Sequence, residues 1–330
     1  MSECVQPIVD PGITTLSEVL DPIALAKHLG AFSVFPRNGA AVEQVQVRVL
    51  RHWAQRRCTL EIGMRAENGW HSVIGKVYHN DRPDVFQAME GIQQAGFGPQ
   101  DEFSIPQPLA YLSSLRLLLQ EKVEGPLAKE IFKTGDEWSR AAAAERSARW
   151  LARFHALAPK AGPVFDSHRR RKTLQRYSSR IAKLSGRCAD KAARLLQRLE
   201  DAASSLSPVE MRSSHGSFNA GHVILGQRRT VVFDWDGYDV ADPARDVGRF
   251  LATLRRVALG QLASVRALDG AAEVFLQTYL AEGQPLAEKN LRFYEAVACL
   301  KLAKSVNHWE ERTEAMVDEG LRLLEQEATR

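Results

Sequence analysis

The chain has 330 residues, 45% of them hydrophobic and 25% charged, with a formal net charge of +4. That length exceeds a single core, which stops growing at roughly 250–300 residues. The composition excludes wholesale disorder, collagen-like repeats and a disulfide-stapled mini-fold. No run approaches the ~18 uninterrupted apolar residues of a membrane helix, and the charge is too small to imply nucleic-acid binding by itself.

The first residues, Met1 to Pro7, carry neither a basic nor an apolar signal segment. Cys4, Cys58, Cys188 and Cys299 lie far apart with no C-x-x-C pair, which reads as reduced thiols in a cytoplasmic protein. Residues 1–35, with several Pro and Gly and one amphipathic piece from Pro22 to Leu29, read as an N-terminal extension that caps the body without forming its core. At Val45 alternation begins. Val45, Val47 and Val49 point one way while Gln46 and Arg48 point the other, the period of a half-buried strand. A second run places Cys58, Leu60, Ile62 and Met64 on one face and ends at Asn68-Gly69, a dipeptide suited to a two-residue hairpin turn. A third strand over Trp70 to Tyr78 pairs back antiparallel. Asp84 to Ala95 reads as a helix, and Leu115 to Val123 as a further strand. Residues 36–124 are thus an antiparallel sheet carrying one helix.

Beyond Gly125-Pro126 the period becomes helical. Trp150, Phe154, Leu157 and Ala158 fall on one stripe, with Pro159 as a stop. Between Arg169 and Arg198 the chain is dense in Lys and Arg with a single acid, Asp190, while Glu310 to Glu327 leans acidic. Leu174, Tyr177, Ile181 and Leu184 recur at helical spacing between the basic residues, which makes that segment a solvated helix face. Ala271 to Leu280, Lys289 to Ser305 and Glu314 to Gln326 are further helices. A strand-turn-strand island around His215 to Tyr238 interrupts them, and its second run, Thr230 to Trp235, is β-branched and aromatic. Residues 125–330 therefore form a helical region around one small β element.

The most specific stretch runs from Ser213 to Arg249. It holds His215-Gly216-Ser217-Phe218-Asn219-Ala220-Gly221-His222, a strand, Phe233-Asp234-Trp235-Asp236, and then Asp242-Pro243-Ala244-Arg245-Asp246. This pattern resembles the aminoglycoside phosphotransferase and choline kinase-like family. That family's catalytic loop reads His-Gly-Asp, four residues, then Asn, with a metal-binding Asp about a dozen residues later. The resemblance implies an α+β, protein-kinase-like two-lobed fold with an antiparallel-sheet N-lobe and a mainly helical C-lobe.

It also implies a set of roles. Asp234, at the end of an apolar strand, becomes a Mg²⁺ ligand, and Mg²⁺ favours oxygen donors together with nucleotide phosphates and water. Lys76, in Val73-Ile74-Gly75-Lys76, becomes the contact to the ATP phosphates. Glu90 is its ion-pair partner, with Asp84 also available. Gln120 to Gly125 resembles the linker that meets adenine, through the backbone of Glu121 and Val123. The turn from Arg51 to Arg57 lies where a phosphate-covering loop belongs, yet it holds no glycine. Arg56 and Arg57 can replace amide donors there, or can be plain surface residues. Asp242 and Asp246 brace the catalytic loop, as does His215, and His155 is packed.

Two positions depart from the family pattern. Ser217 stands where the proton-accepting aspartate belongs, and His222 where an asparagine binds metal. Imidazole suits zinc, copper or iron better than Mg²⁺. His222 or Asp236 can substitute as base, or His222 can be a packing residue and not a metal ligand. Losing a general base costs typically ~10²–10⁴-fold, which predicts a slow enzyme. The leading expectation is an ATP-dependent phosphotransferase acting on a hydroxyl of a small molecule or peptide. The rival is a nucleotide-binding pseudokinase with a protein partner. A nucleic-acid-binding module rests only on residues 169–198 and fits the rest of the chain poorly.

Overall fold

The structure is a computed structural model and describes residues 8–30, 43–66, 69–165, 167–184, 186–283, 285–304 and 310–325. The chain divides into two compact units, Met1–Gln100 with Ile105–Glu124, and Asp101–Ser104 with Gly125–Arg330.

The first unit opens with α1 (Leu16–Leu20) and α2 (Pro22–Gly30). Strands β1 (Gln44–Trp53), β2 (Arg57–Ala66) and β3 (Gly69–Tyr78) follow, then α3 (Pro83–Gln94). After β4 (Phe103–Ser104), which belongs to the second unit, β5 (Pro108–Leu112) and β6 (Leu117–Glu121) complete an antiparallel sheet of order β1-β2-β3-β6-β5. Alternation builds its core. β2 buries Cys58, Leu60, Ile62, Met64 and Ala66, and the register sets Gly75 opposite Leu60 and Val77 opposite Cys58. The strand expected over Leu115 to Val123 runs only from Leu117 to Glu121, because Ser113–Leu115 form a 3₁₀ turn and Arg116 is left-handed at φ 48°. β5 has no strong strand signal; it begins at Pro108, on an edge strand where a missing N–H is tolerated.

The N-terminal residues correct the expectation of a cap that stays out of the core. Ile13, Leu16, Val19, Leu25 and Leu29 are buried in one cluster with Leu60, Ile62, Val73 and Leu117. An apolar sheet face has to be covered, and these short helices cover it; each fully buried Leu or Ile contributes about 1.5–3 kcal/mol. The β1–β2 turn is also shorter than expected. β1 continues to Trp53 past a bulge after Val49, leaving Ala54 to Arg56 as the turn, with Gln55 at φ 58°. Asn68 lies outside the described residues.

The second unit contains α4 (Ala128–Thr134), α5 (Glu137–Leu157), α6 (Ser167–Leu184) and α7 (Gly186–Ala203). Then come β7 (Arg212–Ser214), β8 (Val223–Leu225), β9 (Thr230–Val232) and β10 (Asp239–Ala241). Helices α8 (Ala244–Gln261), α9 (Asp269–Ala281), α10 (Glu288–Ala303) and α11 (Glu310–Glu325) complete it. β7 pairs antiparallel with β10, while β9 lies between β4 and β8. The Asp136 carboxylate caps α5 by accepting the Ser139 amide at 2.8 Å. The predicted α5 stripe fails at Leu157, which is 48% exposed. The helix ends there, and its packed face follows Ala144, Ala148, Leu151 and His155 beside Trp150 and Phe154.

On α6, Leu174 and Ile181 are buried while Lys172, Arg176, Arg180 and Lys183 are exposed. The basic α7 meets the acidic α11. Lys191 reaches Glu314 and Asp318, both at 2.8 Å, and Arg194 reaches Glu325 at 3.0 Å. Ser305 and Gln326, placed in helices by periodicity, lie outside the described residues. Among those residues, no helix is long and apolar enough to cross a membrane.

Candidate functional site

The segment after β7 is fixed by one buried carboxylate. Asp246, in the first turn of α8, accepts the His215 amide at 2.7 Å, the Gly216 amide at 3.1 Å and the Ser214 hydroxyl at 3.0 Å. Burial pushes its carboxyl up, but His155, His215 and Arg245 hold it well below the usual carboxylate range. Gly216 is left-handed at φ 73°, and a Cβ there would lie 1.9 Å from the Gly237 carbonyl oxygen. Only glycine allows the two loops to approach this closely. Asp242 braces the same region by accepting the Ala244 amide at 2.8 Å and the Asn290 side chain at 2.7 Å.

Beneath the loop lies an aromatic layer. Trp150 stacks on Phe154 and Phe218, with centroids 5.2 and 5.9 Å away, and Trp235 lies 4.6 Å from the His215 ring. The imidazole of His215 donates from Nε2 to the Phe233 carbonyl at 3.0 Å. A carbonyl can only accept, so Nε2 carries a proton and Nδ1 of the neutral ring is an acceptor. Ser217 Oγ lies 3.1 Å from that Nδ1 and donates to it. Sequence reasoning gave His215 a bracing role alone; the His-x-Ser spacing was the available signal for this second contact.

Asp234 follows β9 and Phe233 in a left-handed conformation, φ 74° and ψ 61°, which is uncommon for a residue with a side chain. Its Oδ2 lies 3.4 Å from His222 Nε2. Asn219 orders that ring. Its Oδ1 accepts the Gly221 amide at 2.8 Å, so its NH₂ is the group that donates to His222 Nδ1 at 3.0 Å and to the Ser217 carbonyl at 2.7 Å. Nδ1 is therefore occupied as an acceptor and Nε2 carries the ring proton. His222 thus presents a donor to Asp234. Asp236 is half-buried in the 3₁₀ turn Trp235–Gly237. Among the described residues no three His, Cys, Asp or Glu side chains are grouped to hold a metal. Mg²⁺ is commonly held by one or two carboxylates plus phosphates and water, a donor set that a carboxylate such as Asp234 can join.

In the first unit, Lys76 sits on β3 between β2 and β6, opposite Thr59 and Leu118, and is only 4% exposed. It occupies the sheet face opposite Val73, Gly75 and Val77. Glu90 does not pair with it. α3 turns Val85, Ala88, Met89 and Ile92 inward, so Glu90 lies on the exposed side and forms no ion pair among the described residues. Asp84 is bonded to Arg82 at 2.9 Å. Arg57 lies over the Trp53 ring at 4.0 Å, and Arg51 lies 4.2 Å from the same ring.

The β1–β2 turn is anchored by Asp10, a residue sequence reasoning missed. Its carboxylate accepts the Gln55 amide at 2.8 Å, the Gly12 amide at 2.8 Å and His52 Nε2 at 2.7 Å. The Gln55 amide, then His52 and Gly12, hold its carboxyl low against the effect of burial. At the end of β6, the Glu121 amide donates to the Gln107 carbonyl at 2.8 Å and the Glu121 carboxylate accepts the Gln107 amide at 3.0 Å, whereas Val123 makes no hydrogen bond among the described residues.

No curated protein sequence matches the chain. Solved structures match it in fold. A choline/ethanolamine kinase family protein from Mesorhizobium loti aligns over 91% of this chain and 95% of its own, with a TM-score of 0.59 at 14% identity. A macrolide 2'-phosphotransferase from Brachybacterium faecium aligns over 89% and 97%, with a TM-score of 0.53 at 17% identity. A thermostable aminoglycoside phosphotransferase mutant, crystallised with AMP-PNP and hygromycin B, aligns over 92% and 99%, with a TM-score of 0.58 at 12% identity. The fold is therefore α+β and protein-kinase-like. Residues 75–291 match the APH phosphotransferase enzyme family, and the chain belongs to that family.

Proposed function

We propose that this phosphotransferase-family protein transfers the γ-phosphoryl group of ATP to a hydroxyl of a small molecule. The observation that carries the reading is the Ser217–His215 hydrogen bond inside a loop locked by Asp246. A serine hydroxyl is a poor base by itself. Coupled to a neutral Nδ1, it relays a proton: the acceptor hydroxyl gives its proton to Ser217 Oγ as Ser217 gives its own to His215. The acceptor oxygen bonds to the γ-phosphorus, the bond from that phosphorus to the bridging oxygen breaks, and ADP leaves. The Asp246 carboxylate offsets the imidazolium that results. His215 thus takes the base role first sought in His222 or Asp236.

Asp234 would hold Mg²⁺, whose chemistry there would be to neutralise phosphate charge. His222, donating to Asp234, orients that carboxylate. Lys76 supplies an ammonium for the phosphates and Arg57 a guanidinium beside the β1–β2 turn. The linker backbone at Glu121 and Val123 receives adenine, with the unbonded Val123 backbone in support. Positioning and charge carry most of phosphoryl transfer, so this set supports turnover without an aspartate base.

The test is labelled γ-phosphate transfer across a panel of alcohols, sugars, amines and peptides. Transfer that needs both Ser217 and Asp234 supports the proposal. Mg²⁺-dependent ATP binding with no transfer to any acceptor would favour the pseudokinase reading, which Ser217 at the aspartate position motivates.

A further inference from the structure

Among the described residues, the second unit gathers more buried positive charge than the one nearby carboxylate, Asp246, offsets. On α8, Arg245 and Arg249 stand four residues apart, on one face of the helix. Arg245 is compensated. Its Nη1 donates to both oxygens of Asp239 at 2.7 and 2.6 Å, its Nη2 reaches the Gly216 carbonyl at 3.4 Å, and its guanidinium lies 4.1 Å over Phe165. Arg249 is not. Its Nε and Nη1 atoms are buried and meet no hydrogen-bond acceptor.

A second cation comes from α10. Gly248 packs so closely on that helix that a Cβ would lie 2.6 Å from the Glu295 amide nitrogen, so α8 and α10 touch one residue before Arg249. Further along α10, Lys301 forms no hydrogen bond or ion pair among the described residues. Burial first, then repulsion from Arg249, Arg245 and Lys304, pushes its ammonium down to about 7, with Asp246 opposing. Tyr177 of α6 feels the charges of Arg249 and Arg245, and Lys304 Nζ lies 3.9 Å from its ring centroid. Asp246 is already committed to the Ser214, His215 and Gly216 donors. Buried polar groups are almost always partnered, and a buried cation without a counter-charge is costly.

We propose that Arg249 and Lys301, flanked by Lys304 and Tyr177, bind a phosphate monoester, and that the acceptor substrate carries this phosphate. Two cations sharing one already committed carboxylate match a dianion better than a carboxylate, and a phosphate monoester is largely dianionic near neutral pH. A guanidinium presents paired N–H donors to phosphate oxygens. The acceptor assignment rests on the phosphotransferase reading. Arg245, one turn before Arg249, touches the Gly216 carbonyl beside Ser217, so a phosphate held at Arg249 keeps the remainder of a small molecule near the relay.

The experiment measures binding of inorganic phosphate, glycerol 3-phosphate and succinate by calorimetry and thermal unfolding. It uses wild type, Lys76→Ala, Arg249→Met and Lys301→Met proteins. Phosphate and glycerol 3-phosphate should bind wild type and Lys76→Ala alike, and about 10-fold or more weakly in the Arg249 and Lys301 variants. Without phosphate, Arg249→Met should unfold at a higher temperature than wild type, because it removes a buried guanidinium whose Nε and Nη1 donors are unsatisfied. Unchanged phosphate affinity in Arg249→Met, loss of affinity only in Lys76→Ala, equal binding of succinate, or a lowered unfolding temperature of Arg249→Met would overturn the site. γ-Phosphate transfer should favour phosphorylated alcohols over their neutral parents; no such preference overturns the acceptor assignment. Absent ATP binding with phosphate binding intact would refute the phosphotransferase reading and leave the anion site standing.

Discussion

Ser217 gives its hydroxyl hydrogen to His215 Nδ1 across 3.1 Å, inside a loop whose backbone is tied to Asp246. The position that departs most from the family pattern is therefore hydrogen-bonded to a neighbouring imidazole. Ser217→Ala breaks this relay and should lower phosphotransfer by about 10²-fold or more, within the usual range for general base assistance. Ser217→Asp restores a carboxylate and should raise the rate. Steady-state rates of both variants check this; an unchanged or lower rate for Ser217→Asp would show that Ser217 does not occupy the base position.

Gly216 is required by space as well as by conformation. A methyl group there would collide with the Gly237 carbonyl at 1.9 Å while the residue keeps a φ of 73°. Gly216→Ala should cost about 2 kcal/mol or more of stability and abolish transfer. Denaturant unfolding measures the loss, and a variant as stable as wild type would contradict the loop contact.

Arg255 ties α8 to α10 and α11. Its Nε lies 2.6 Å from Glu295 and 3.2 Å from Glu319, and both carboxylates are buried. Glu319 also holds Arg266 and Arg322, each at 2.8 Å, so Arg255→Ala strands Glu295 in the core and should destabilise by about 3–5 kcal/mol. Chemical denaturation tests this, and a change below about 1 kcal/mol would show that the pair carries no net weight.

Lys301 gives stability a dependence on pH. It titrates near 7 in the folded chain and at 10.5 when unperturbed. Below about pH 7 both states are charged, and the cost of burying the ammonium is fully present. Between about pH 7 and 10.5 the unfolded state holds the extra proton, so stability rises with pH across that window. Lys301→Met removes this rise. Its stability relative to wild type should be greatest near pH ~6 and should decline by pH ~9; a constant difference would contradict the buried ammonium.

The sheet was legible because Val45, Val47 and Val49, then Cys58, Leu60, Ile62 and Met64, alternate against one buried face, and period-two patterns survive in the sequence. The candidate loop was legible from the spacing of Ser217, His222 and Asp234. Other features depend on tertiary placement. Ile13, Leu16 and Val19 show no long periodic run, so their place in the core follows only from the sheet face they cover. Glu90 and Leu157 have suitable residue types at suitable spacing, yet both side chains face solvent. The buried, unpartnered nitrogens of Arg249 leave no trace in a sequence where arginines are common. His222 fits a metal-ligand position by spacing, and the Asn219 hydrogen bond that commits its Nδ1 emerges only when the loop is folded.

Asp234 and Lys76 carry the central claim, that Mg²⁺-dependent ATP binding needs each of them. Calorimetric titration of Mg²⁺–ATP into wild type, Asp234→Ala and Lys76→Ala tests it most directly. Binding that requires Mg²⁺ in wild type and weakens by about 10-fold or more in each variant is the predicted result. Equal affinity in all three proteins, or no binding to wild type, would contradict it.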